Sequence, residues 1–72
     1  MHVIFVLSSV TYALKSQELL KKENIYASLI RSPAVKAVKG CGYGIMLDAE
    51  YETDARYILH DAGINILGTL YD

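Results

Sequence analysis

One side chain in this 72-residue chain has chemistry of its own, the thiol of Cys41, the sole cysteine. It lies between Gly40 and Gly42, which leave the sulfur sterically open and free two backbone N–H groups to face it. Residues 31–41 carry Arg31, Lys36 and Lys39 and no acid, a formal +3 in a chain whose net charge is −1. A thiol in an electropositive, backbone-rich turn has its thiolate favoured, and the thiolate is the form that attacks or carries sulfur. The competing reading is a small buried hydrophobe at the start of a strand.

The other polar residues give no catalytic set. Gly40, Gly42 and Gly44 resemble a phosphate loop, but no Gly-Lys-Ser/Thr ending follows, and a strand rather than a helix comes next. Turn geometry and close strand approach explain these glycines better. Glu50, Glu52, Asp54 and Asp61 fall on a helix start and a helix surface, where acids match the helix dipole. His2 and His60 read as surface positions, and Ser8 and Ser9 as helix caps. One cysteine, two histidines and scattered carboxylates do not make a metal site, so neither metal nor cofactor is expected. A disulfide within the chain is excluded.

Six segments must position Cys41. His2 to Leu7 is an apolar, β-branched run that stops at Ser8-Ser9, a buried strand followed by a capped helix from Val10 to Glu23. Lys21 and Lys22 close that helix and Asn24 supplies a left-handed exit. Ile25 to Arg31 reads as a second strand ended by Ser32-Pro33, residues 34 to 40 as a loop, and Gly42 to Leu47 as a third strand. Tyr51, Ala55, Ile58, Leu59 and Ala62 recur at helical spacing, and Gly63 ends that helix. Ile64 to Tyr71 is the last strand, with a bulge expected at Gly68.

The order is β-α-β-β-α-β over one domain, residues 1–72. Right-handed crossovers then put both helices on one face of a four-stranded antiparallel sheet, an α+β, ferredoxin-like sandwich. The first strand is apolar on both faces, whereas a half-solvated strand alternates. Hydrophobic residues, tyrosine counted, are 53% of the chain, above the usual share of about 45–50%, a range that counts glycine and leaves out tyrosine. Both observations point to a homo-oligomer, most simply a dimer, that covers the helix-free face; the alternative is that Tyr26, Tyr43 or Tyr71 folds over it. The near-neutral charge argues against nucleic acid. No apolar run approaches the roughly 18 residues of a membrane span. The apolar start lacks a basic flank and stops at Ser8, so with a lone thiol the expected location is cytoplasmic.

The strand ending in serine, Ala13, the Glu18-Leu19-Leu20-Lys21 run, Asn24-Ile25, Pro33, Cys41-Gly42, Ala62-Gly63-Ile64 and Gly68 together resemble the selenium/sulfur carrier-like family. That resemblance implies that Cys41 carries sulfur or selenium as a persulfide or selenosulfide, with Gly42 its motif partner and Pro33 shaping the loop. In the family a basic residue often follows the proline; here Ala34 does, and Lys36 and Lys39 are the nearby charges. The implied partners are a donor and an acceptor protein, and the implied role is carrier rather than enzyme. A regulatory or protein-interaction module of the same fold is the other reading, since this architecture hosts many functions. A heavy-metal carrier would need Cys-x-x-Cys where Ser8-Ser9-Val10-Thr11 stands, and an acylphosphatase would need an arginine there.

Overall fold

The computed structural model describes residues 1–31 and 43–71. Its elements are β1 (His2–Val6), α1 (Val10–Lys22), β2 (Ala27–Arg31), β3 (Tyr43–Asp48), a 3-10 turn (Ala49–Tyr51), α2 (Glu52–Asp61) and β4 (Gly68–Tyr71). The sheet order is β2-β3-β1-β4 with every pairing antiparallel. This is the ferredoxin-like arrangement expected from the order of elements.

β1 is the strand bonded on both edges, to β3 on one side and β4 on the other. Val3, Phe5 and Leu7 enter the core with Ile45 and Leu47 of β3 and Ala27 of β2. The helices meet them with Ala13 and Leu20 from α1 and Ala55 and Leu59 from α2. Ser16 is also fully buried on α1, and its hydroxyl is satisfied by donating to the Tyr12 carbonyl at 2.7 Å.

Both helices end alike. Asn24 (φ 63°) and Gly63 (φ 77°) are the left-handed residues foreseen from sequence. Ile25 N–H donates to Leu20 C=O and Asn24 N–H to Lys21 C=O; Ile64 N–H donates to Leu59 C=O and Gly63 N–H to His60 C=O. These are Schellman closures, each with a buried isoleucine packed on the helix it ends. They correct two boundaries. Ile25 and Ile64 give their N–H groups to helix carbonyls, so β2 starts at Ala27 and β4 at Gly68. The bulge at Gly68 is also absent: Val6↔Gly68 to Val3↔Tyr71 runs in unbroken register.

Strand alternation sets Ile4, Val6, Ser28, Ile30, Gly44, Met46, Gly68 and Leu70 on the helix-free face. Tyr43 packs against the core on the other side, and Tyr71 shares the side of its pair partner Val3. Tyr26 stands 83% exposed. None of the three shields the face. Among the described residues no helix is long and apolar enough to cross a membrane.

Candidate functional site

The sequence-predicted residues Pro33, Lys36, Lys39, Gly40, Cys41 and Gly42 lie outside the described residues. The two ends of their segment, Arg31 and Tyr43, are described, and they form the last Cα pair of β2 and β3. The Arg31 guanidinium carbon stands 5.4 Å from the centre of the Tyr43 ring, a cation–π contact that holds one positive charge over this end of the sheet.

The same end receives the start of α1. Leu7 N–H donates to Tyr43 C=O at 3.1 Å, which continues the β1–β3 ladder one step past Val6. Two residues on, Ser9 is the N-cap of α1, its side chain accepting from Tyr12 N–H at 3.3 Å. No acid occupies the first turn of α1, so its positive dipole end is not offset from within the helix. Leu67 N–H donates to Val6 C=O at 2.8 Å and brings the α2–β4 link to this end as well. The described rim is therefore positive: Arg31, the α1 N-terminus and no carboxylate from either.

Gly44 follows from the need for close approach. A Cβ there would meet the Phe5 carbonyl oxygen at 2.8 Å, so only glycine lets β3 lie against β1 at this point. It is a strand position, and it has no part in an anion cradle.

The acidic residues at the start of α2 belong in part to a polar network on the β4 side of the molecule. Arg56 donates to Glu52 at 2.9 Å and to Thr69 Oγ1 at 3.1 Å, and Tyr71 O–H donates to Glu52 at 2.6 Å. The Arg56 guanidinium also lies 5.0 Å from the Phe5 ring centre. The Tyr71 hydroxyl, then Arg56, hold the Glu52 carboxyl below its ordinary pKa; the Glu52 carboxylate in turn raises that of Tyr71. The Glu52–Arg56 part is visible in sequence as an i, i+4 pair. Its link to Thr69 and Tyr71 depends on the β4 register and is not. His60 lines a groove of about 470 Å³ with Thr53, Arg56, Tyr57 and Ile64. His2 opens β1. No group of three or more His, Cys, Asp or Glu side chains that could hold a metal ion occurs among the described residues.

A family model described as "Putative Se/S carrier protein-like" matches residues 2–71. No curated protein and no solved structure matches the chain.

Proposed function

This chain belongs to the "Putative Se/S carrier protein-like" family, and from that premise we propose that it carries sulfur or selenium on Cys41. The Cys41 thiolate attacks the outer sulfur of a donor persulfide. A Cys41 S–S bond forms, the donor S–S bond breaks, and the donor leaves as a thiolate. A nucleophile on the acceptor then attacks the outer sulfur and returns Cys41 as a thiolate. Each transfer is an exchange at sulfur that needs no external oxidant or reductant. Selenium in place of the outer sulfur follows the same course. The chain needs no second cysteine, and a resolving thiol within it would discharge the cargo before delivery.

The observation that carries this reading is the family match over nearly the whole chain, together with a lone thiol in a +3 segment. The positive rim at Arg31 and the α1 N-terminus adds to it. In this reading Gly40 and Gly42 flank the thiol without side chains, Lys36 and Lys39 favour the thiolate, and the family resemblance gives Pro33 the shaping of the loop. Such a carrier belongs in a reducing, cytoplasmic compartment.

Mass spectrometry tests it. The full chain, reduced, freed of reductant and treated with a low-molecular-weight persulfide, gains the mass of one sulfur atom, and Cys41→Ser gains none. Alkylation of Cys41 against pH should show a midpoint below the roughly 8.5 of a free thiol. A midpoint above that value, or no adduct on the wild-type chain, overturns the carrier reading in favour of an interaction module.

A further inference from the structure

Two sides of α2 have different fates. Ala55 and Leu59 enter the core, whereas Thr53, Arg56, Tyr57 and His60 recur at i, i+3, i+4 and i+7 along an exposed flank. Ile64, Asn65 and Ile66, in the link from α2 to β4, form the second wall of the groove of about 470 Å³. Both walls are in place before anything enters. Ile64 N–H donates to Leu59 C=O at 2.9 Å and Arg56 donates to Thr69 Oγ1 at 3.1 Å, so the link and the strand beyond it are each tied to the helix. Ile64 is buried and Ile66 packs against the core, which anchors the link from beneath.

The charged groups of this lining are of one sign. Arg56 and His60 are bases, Thr53, Tyr57 and Asn65 bring neutral polar groups, and among the described residues no carboxylate lines the groove. Glu52 stands outside the lining, where it accepts from Arg56 and from the Tyr71 hydroxyl. Both bonds that Arg56 donates, to Glu52 and to Thr69, leave from Nη2. Its Nη1 and Nε groups therefore keep their donors for another acceptor. The Phe5 ring, 5.0 Å from the guanidinium carbon, adds a third contact that fixes the group. An arginine already ordered, with donors to spare, binds an anion with little further loss of side-chain freedom. Tyr57 is 71% exposed, so its ring is open to stack on a flat ligand.

We propose that this groove binds a small molecule with a carboxylate end and a flat apolar body, an aromatic carboxylate being the simplest member of the class. The carboxylate accepts from Arg56 and from the Asn65 side-chain amide. The ring lies against Ile64 and Ile66, beside Tyr57. A volume of about 470 Å³ falls within the roughly 300–1,000 Å³ of small-molecule pockets. A neutral ligand would leave the Arg56 donors without a charged acceptor, and a cation would meet two bases. The groove is built from residues 53–66 and is independent of Cys41.

Amide correlation spectra of the full chain, titrated with benzoate, read the outcome. Benzoate should shift the amides of Arg56, Tyr57, His60 and Asn65 saturably at millimolar concentration. Benzamide, the same shape without the charge, should bind more weakly by about tenfold or more. Acetate, the charge without the ring, should not saturate. Asn65→Asp puts an acid into the lining at an exposed position outside the Arg56 network. It should weaken benzoate by about tenfold and leave the rest of the spectrum unchanged, and Asn65→Lys should tighten it. Arg56→Gln should abolish binding; it also cuts the tie to Thr69, so the two Asn65 variants decide the matter if that protein unfolds. No saturable shift with benzoate overturns the proposal. So do equal affinities for benzoate and benzamide, shifts gathered on another part of the surface, or an affinity that neither Asn65 variant moves.

Discussion

A single methyl group separates Gly44 from alanine, and the site for it is already taken. A Cβ at Gly44 would stand 2.8 Å from the Phe5 carbonyl oxygen and 3.3 Å from Ile4 Cγ2. The carbonyl belongs to β1, which is fixed between β3 and β4, so it cannot retreat without loosening both ladders. Gly44→Ala should therefore destabilise the protein by about 1–3 kcal/mol, the range of overpacking in a close-packed interior. Thermal or urea unfolding measures this. A variant as stable as wild type would mean that β1 and β3 separate at no cost, and the stated reason for the glycine would fail. The neighbouring glycines at 40 and 42 make a different, chemical claim, which rests on Cys41 and on alkylation chemistry. Gly44 shows that membership of one glycine-rich run does not imply one role.

Between residue and molecule, the helix ends carry the most legible part of the sequence. Asn24 and Gly63 are identifiable from type and position and take the left-handed role expected of them, and of the two serines that could cap α1 the structure selects Ser9. The strand starts were not legible, because Ile25 and Ile64 look like strand residues by side chain. Their N–H groups decide the matter by closing the preceding helix, and hydrophobic periodicity says nothing about where an N–H points. Ser16 was missed for a related reason: its hydroxyl bonds within its own helix, so a polar residue sits in the core at no cost in lost bonds. Of the candidate site, the thiol and its charge setting are legible in the sequence, while the rim of Arg31, Tyr43 and the α1 N-terminus depends on the sheet register. The paired Schellman closures also allow a prediction. Gly63 has open space around its absent Cβ, so Gly63→Ala is penalised by its φ of 77° alone, and should cost about 1–2 kcal/mol. Asn24→Gly, at φ 63°, should leave stability nearly unchanged or raise it slightly. Equal losses in both variants, read from urea midpoints, would show that side-chain contacts and not backbone conformation set these ends.

At the scale of the whole molecule, β4 is the least secured element. It has four residues, no fully buried side chain and, among the described residues, one bonded neighbour. What ties it to the rest, beyond the β1 ladder, is the network from Tyr71 and Thr69 to Glu52 and Arg56 on α2. That network has two titrating members with opposite signs. Glu52 has its pKa lowered in the folded state, chiefly by the Tyr71 hydroxyl, so its contribution is present above the unfolded carboxyl pKa and is lost as pH falls through the folded one. Tyr71 has its pKa raised, chiefly by Glu52, so its contribution is present below the unfolded phenol pKa and is lost as pH rises through the folded one. Both groups lie near solvent, so salt and water limit the size of the effect but leave its direction. Tyr71→Phe deletes the shared hydrogen bond and keeps the ring. The melting temperature of wild type should therefore exceed that of Tyr71→Phe across the neutral range. The gap should narrow below about pH 4, where carboxyls protonate, and again above about pH 10, where tyrosine ionises. Glu52→Gln, which still accepts a hydrogen bond but does not titrate, should lose the acid limb of this profile and keep part of the gap at neutral pH. A gap between wild type and Tyr71→Phe that stays constant from acid to alkali would show that the hydroxyl does not act through Glu52, and that the β1 ladder alone holds the last strand.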